Sequence, residues 1–360
     1  MTEHGGNVYK AEEELGIPRK RILDFSASIN PLGIPKTVIS DINKNLSSLV
    51  DYPDPDSRQL VSQLAENLNI DPASVLCGNG STELIYLIVR ALQPKKVLIP
   101  APAFSEYERA CKISNESRVM RYALKKEDNF DINPDEFISA MSGDINSSLP
   151  FDMVFLCNPN NPTGRLLEKS EVMKIANAAG KLKCFLVVDE AFMDFCPEDS
   201  VIHEVNNNPY LIVLRSMTKF YALAGLRIGY GIFPKKLVPV LKKYKETWTV
   251  NSVAGRAAAI ALKDVLYRDK TFRLIKREKQ FLEKGFRRLG IDFFPSDANF
   301  YLLKSQNTER IYSRLRAKGI LVRGCADFRG LGRAYFRVAV RSRKENRALL
   351  EELEEILNKV

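Results

Sequence analysis

Apolar residues recur along this chain in two rhythms. Short, mostly apolar runs stand at 75–77, 97–100, 118–123, 153–157, 184–189, 211–215 and 226–233. Runs of that length, rich in valine, leucine and isoleucine, read as strands buried on both faces. Between them lie stretches with helical spacing at 57–68, from 81 to 92, at 133–141 and at 168–182. Strands alternating with helices predict an α/β fold with a mostly parallel seven-stranded sheet covered by helices, whose binding loops gather at the strand ends.

The pattern changes at Pro234. Helices are expected at 235–245, at 252–266 and around 272–289, where Phe272, Ile275, Leu282, Phe286 and Leu289 share one face. Strands near 300–303 and 335–340, a helix at 309–317 and a terminal helix striped with Leu349, Leu350, Leu353, Ile356 and Leu357 predict a smaller α+β domain. Near the other end, short helices are expected at 8–15 and 37–49. The rigid connector Asp51-Tyr52-Pro53-Asp54-Pro55 marks the expected boundary. Residues 51–250 should form the large domain, and 1–50 with 251–360 the small one.

Composition narrows the function classes. Lysine and arginine outnumber aspartate and glutamate by 54 to 44, an excess that suits an anionic ligand. The cations are spread over helical faces and no aromatic-interleaved basic loop appears, so they read as solvated surface and no nucleic-acid partner is expected. The six cysteines form no close pairs of metal-ligand spacing and only His4 and His203 are available, so no metal site is expected. Without a signal-peptide core or a membrane-length apolar run, a soluble cytoplasmic protein with no membrane partner is expected.

The candidate chemistry centres on residues 215–230, RSMTKFYALAGLRIGY. Lys219 sits among small, hydroxylated and apolar residues with Arg227 nearby. An amine so placed loses its proton readily and can condense with an aldehyde. Asp189 ends an apolar strand, where a buried carboxylate can pair with a ring nitrogen. Asn161, in the turn-rich loop NPNNPTG, can reach a ring hydroxyl. Gly80, Ser81 and Thr82 stand between a strand and a helix, whose first-turn N–H groups and dipole favour a phosphate. Ordinary capping explains Ser81 and Thr82 equally well.

GNG at 78–80, NPNNPTG at 158–164, VDEAF at 188–192, the lysine segment and RVAVR at 337–341, in this order, resemble the fold-type I pyridoxal-phosphate enzymes, class I and II aminotransferase branch. The resemblance implies pyridoxal 5'-phosphate bound through Lys219, with Ser216 and Arg227 joining Gly80 and Thr82 at its phosphate and Phe104 stacked on its ring. It also implies a homodimer in which Tyr52 reaches the neighbouring site. Phe192 stands where the aminotransferases usually carry a tyrosine bonded to the ring oxygen. With HGGN at 4–7 and DFSASINPLGIP at 24–35, that feature resembles the phosphothreonine decarboxylases of the family. Their resemblance places His4, Gly5, Gly6, Asn30 and Arg323 at a substrate phosphate, and Arg337 and Asn161 at its carboxylate. Two other readings stay open: an aminotransferase of histidinol phosphate, and a non-catalytic binding or regulatory module on the same fold.

Overall fold

The structure, a computed structural model, describes residues 5–114, 117–143 and 150–358. Its strands among those residues are β1 (Leu23–Asp24), β2 (Val75–Asn79), β3 (Lys96–Ala101), β4 (Arg118–Ala123), β5 (Met153–Cys157), β6 (Phe185–Asp189), β7 (Leu211–Ser216), β8 (Ile228–Ile232), β9 (Asp292–Phe293), β10 (Phe300–Lys304), β11 (Ile320–Leu321), β12 (Arg323–Gly324) and β13 (Tyr335–Ala339).

The seven expected long strands form one sheet in the order β2-β8-β7-β6-β5-β3-β4. All its pairings are parallel except those of β8, which runs against both β2 and β7. Successive residues of β5 show why the strands read as continuous apolar runs. Val154 and Leu156 enter one core while Met153, Phe155 and Cys157 enter the other, because side chains alternate across a strand. Since β8 is reversed, its first residue lies at the same sheet edge as the carboxyl ends of β2, β3, β5, β6 and β7. The loops after those strands and the turn before β8 therefore share one edge.

That edge is held by a buried ion cluster. Arg215 near the end of β7 lies 3.3 Å from Glu190 Oε2 and 3.4 Å from Asp194 Oδ1; Arg215 and Glu190 are buried and Asp194 is half-buried. Burial pushes both carboxyls up, and the guanidinium opposes it. Glu190 also accepts from Ser200 Oγ at 2.6 Å and the Val201 N–H at 2.9 Å, so its charge is hydrogen-bonded as well as paired.

The second core gathers Phe25, Ile275, Leu282, Phe286, Tyr301, Phe336, Leu349 and Leu353 around the sheet β12-β13-β10-β9. β1 pairs in parallel with β11, so residues near both ends of the chain build this unit together. Two helices fall elsewhere than the expected limits at 50 and 250 put them. Val38 of helix Lys36–Lys44 and the alanines of helix Ser252–Ala261 belong to the core of the large sheet. Packing thus divides the chain differently from the proline-rich connector.

Element limits moved for local reasons. The expected helix 37–49 stops at Lys44, where Asn45 Nδ2 turns back to the Asp41 carbonyl at 2.9 Å, and 3₁₀ turns follow over Leu46–Val50. Helix Val238–Lys242 is short and carries Pro239 in its first turn, where the missing N–H is tolerated. Asp264 accepts the Tyr267 N–H at 2.9 Å and starts helix Val265–Arg288 earlier than the apolar stripe indicates. Helix Glu106–Ser114 was not anticipated, although Tyr107, Ala110 and Cys111 bury at helical spacing.

Gly229 on β8 lets the strand touch the start of helix Gly80–Leu92. A Cβ there would lie 2.4 Å from the Ser81 nitrogen and 2.8 Å from the Arg215 carbonyl oxygen, both backbone. Gly229→Ala is expected to cost about 1–3 kcal/mol of stability through overpacking, measured by urea unfolding of the cofactor-free chain. A wild-type midpoint would show that the contact yields freely.

Candidate active site

A cavity of about 670 Å³ opens along the shared sheet edge. Lys219, Asp189, Asn161, Ser81, Thr82, Ser216, Arg227, Phe104, Phe192, Arg323 and Arg337 line it, together with Gly5 and Gly6. Asn161, Asp189 and Lys219, distant in sequence, meet here because they end or follow β5, β6 and β7, neighbouring strands of one sheet, while Arg323 and Arg337 reach the cavity from the smaller sheet.

Lys219 lies in the turn after β7. Its Nζ donates to Thr218 Oγ1 at 2.8 Å, and Thr218 in turn meets Ser216 Oγ at 2.7 Å. Burial above all, then the charges of Arg227 and Arg337, pushes the amine down to about 8, with Asp189 pulling the other way. A sizeable fraction of the lysine is therefore neutral near physiological pH.

Asp189 ends β6 and is buried. Its Oδ2 accepts from Tyr107 Oη at 2.7 Å and its Oδ1 from the Ala191 N–H at 3.1 Å. Burial pushes the carboxyl above its usual range, and the Tyr107 hydrogen bond, the Ala191 N–H and the Lys219 charge hold it down. Tyr107 is a site residue that motif reading missed; it sits on the unanticipated helix and stacks on Phe155 at 4.9 Å.

The anion cradle lies at the start of helix Gly80–Leu92. Gly80 has φ +75°, a left-handed conformation that favours glycine, and a Cβ there would stand 2.5 Å from Arg227 Nη2. The guanidinium therefore packs directly against Gly80 at the start of that helix.

Arg337 on β13 and Arg323 on β12 are register partners, placing two guanidinium groups side by side. Arg337 Nη1 donates to Asn161 Oδ1 and Nη2 to the Ser26 carbonyl at 3.0 Å, and its buried Nε has no partner among the described residues. Burial first, with Arg323 adding to it, pushes Arg337 down to about 10, against the pull of Asp24 and Asp327. Arg323 pairs with Asp327 at 2.7 Å and lies over the Phe328 ring. Phe192 packs edge-on against Phe300, with ring centres 5.0 Å apart, and the Arg337 guanidinium covers the far ring.

Three expected residues stand apart. His4 lies outside the described residues. Tyr52 is 81% exposed, 5.0 Å from the exposed Trp248 ring and away from the cavity of its own chain. Asn30, expected at the substrate phosphate, is a correction: it is 1% exposed and both its amide donors are spent on the Phe220 carbonyl and Thr271 Oγ1, each at 2.7 Å. The nearby side chain that does face the cavity is Ser28, whose buried hydroxyl has no partner among the described residues.

These groups fit pyridoxal 5'-phosphate. A buried carboxylate would meet the ring nitrogen, the first turn with Arg227, Ser216 and Thr82 would hold the phosphate, Asn161 would reach the ring oxygen and Phe104 would cover a face. A lysine with a lowered pKa at the centre of this set, on such a sheet, defines a fold-type I enzyme dependent on that cofactor. The chain belongs to the aminotransferase class I and II family, which matches residues 20–353. It is 36% identical over 360 residues to the threonine-phosphate decarboxylase of Salmonella typhimurium, covering 99% of this chain and 97% of that protein. The histidinol-phosphate aminotransferase of Clostridium acetobutylicum superposes with a TM-score of 0.86 at 32% identity, over 94% of this chain and all of that one (100%). The L-threonine-O-3-phosphate decarboxylase of Porphyromonas gingivalis gives 0.82 at 27% identity, over 94% and 100%.

Competitive acylation of the cofactor-free protein with acetic anhydride, read by mass spectrometry, is expected to label Lys219 with a midpoint near pH 8. A midpoint near 10.5 would mean that the amine is hydrated like an ordinary lysine. Tyr107→Phe removes a hydrogen bond to a charged group, worth roughly 1.5–3 kcal/mol. Cofactor affinity, titrated by absorbance, is expected to fall about ten- to hundredfold, and an unchanged affinity would show that Asp189 needs no such partner.

Proposed function

We propose that the protein decarboxylates L-threonine O-3-phosphate to (R)-1-amino-2-propanol O-2-phosphate, the aminopropanol unit of cobalamin biosynthesis. The observation that carries this reading is the pair Arg323 and Arg337. Like charges on register partners repel, and Arg337 is already pushed down to about 10. A ligand bearing both a carboxylate and a phosphate relieves that conflict by giving each guanidinium an anion.

In this reading Arg337 and Asn161 grip the α-carboxylate, and the free Nε of Arg337 adds a donor to a planar fork suited to it. Arg323, His4, Gly5 and Gly6 meet the phosphate. When bound, pyridoxal phosphate supplies an electron sink for the bond broken at the α-carbon. Asp189 would hold a proton on the ring nitrogen, and the tyrosine hydrogen bond favours its ionised form against the effect of burial. Carbon dioxide leaves with the carboxylate carbon, and Lys219 delivers one proton to the α-carbon it vacated. Gly80, Ser81, Thr82, Ser216 and Arg227 anchor the cofactor phosphate, and Tyr52 of a second copy completes it in a homodimer. The exposed Tyr52 and Trp248 rings support that last element.

The aminotransferase reading has its own support in the Clostridium structure, and the dicarboxylate of glutamate would also satisfy two arginines. Carboxyl-labelled phosphothreonine separates them. Release of labelled carbon dioxide without 2-oxoglutarate is the expected result. Retention of label, with glutamate formed from 2-oxoglutarate when histidinol phosphate is supplied, would replace decarboxylation by transamination.

A further inference from the structure

Residues 26–30 have two working sides. Towards the cavity, Ser26 presents its carbonyl to Arg337 Nη2 at 3.0 Å, and Ala27, Ser28 and Ile29 form wall. Away from it, the Asn30 N–H donates to the Lys219 carbonyl at 3.0 Å. Asn30 Nδ2 donates to the carbonyl of the next residue, Phe220, and to Thr271, while its Oδ1 accepts the Leu32 N–H at 3.0 Å. One side chain thereby ties the turn carrying the reactive amine to the segment that the carboxylate-binding arginine holds.

We infer that Asn30 is the positioning residue for Lys219, its side chain fixing the backbone of the next residue, Phe220, to the segment gripped by Arg337 so that anion seating and amine placement become one event. The lysine needs such a device, because its long flexible stem cannot by itself aim the nitrogen. Displacing a reacting group by 1 Å costs on the order of 10²-fold in rate. The groups facing the amine are Arg227, Arg337, Asp189 and the Thr218 hydroxyl. A shift of the turn changes its distance from each of them and admits water. The inference rests on Lys219 being the reactive amine, but not on which substrate is turned over.

Asn30→Ala tests it. The Phe220 carbonyl keeps a second donor, Tyr267 Oη at 3.1 Å, so the turn is not orphaned and the chain should fold. With the loaded enzyme, kcat is expected to fall on the order of 10²-fold, with KM changed by less than about threefold. In the cofactor-free chain the Lys219 acylation midpoint should rise from about 8 towards 10.5. The control is Asn346→Ala, which removes another fully buried asparagine, one that donates to Glu278 and the Arg341 carbonyl. It should lower Tm while leaving kcat and the acylation midpoint alone. Should Asn30→Ala behave like that control, the side chain is structural and the inference fails. If the alanine variant does not fold, Asn30→Asp carries the same two readouts, because it keeps the shape and loses the amide donors. A wild-type midpoint near 10.5 would instead fault the assignment of Lys219 itself, before Asn30 is in question.

Discussion

The constraint on which this molecule turns is a surplus of positive charge in a space poor in water. Lys219, Arg227, Arg323 and Arg337 converge on one cavity, where Asp189 and Glu106 are buried carboxylates, Asp24 also lines the wall and Asp327 already pairs with Arg323. At short range and low dielectric such cations repel strongly. The fold endures the repulsion by two means visible in the structure: an amine and a guanidinium pushed down in pKa, and hydrogen bonds from Arg337 to Asn161 and Ser26. Phosphate and carboxylate groups remove it outright. Burial chiefly, with the arginine charges adding to it, lowers the lysine pKa, and the same charges favour anionic ligands.

The sheet makes that arrangement affordable in structural terms. Side chains that would be costly to hold on mobile loops follow directly on rigid strands: Asp189 closes β6, Ser216 closes β7 and Arg337 lies within β13. The buried cluster of Glu190, Asp194 and Arg215 sits one residue beyond Asp189 and one before Ser216. Breaking it would leave an uncompensated buried charge, a loss of several kcal/mol in other proteins, roughly 3–5. Its pairing therefore fixes the spacing of β6 and β7, and with it the distance from the acid to the lysine turn.

Much of this was legible in the sequence, for a physical reason. A strand buried on both faces must be apolar throughout, so the inner strands of the large sheet announced themselves, while the edge strand β4, with exposed arginines, showed only as a short run, and the residues at the strand ends were then the candidate site. Lys219, Asp189, Asn161, Arg227 and Arg337 do line one cavity. What escaped were relations carried by long-range hydrogen bonds rather than by local pattern. The partners of the Asn30 amide lie 190 and 241 positions away, and nothing near DFSASINP shows that the amide points inward while Ser28 points to the cavity. Tyr107 escaped because three buried positions make a weak helical signal beside Pro102. The division of the chain escaped because alanines 254–261 pack equally plausibly on either unit when read alone.

Which bond at the α-carbon is broken depends on angles, and here the paired arginines do more than attract. A carboxylate held only by Arg337 could swing about the guanidinium; a second anion held by Arg323, on the adjacent strand, fixes the line between the two. Phe300 lies under Arg337 and Phe192 meets that ring edge-on, so the guanidinium is supported by an apolar floor that offers the ring oxygen no hydroxyl. If the proposed substrate binds this way, its carboxylate, phosphate and amine are all placed by neighbouring elements of one framework, and the orientation of the α-carbon follows from the protein rather than from the substrate's own preference. On the proposed reading, the difference between moving an amino group and releasing carbon dioxide lies in where two anions sit, while the lysine, its acid and its cradle stay as they are.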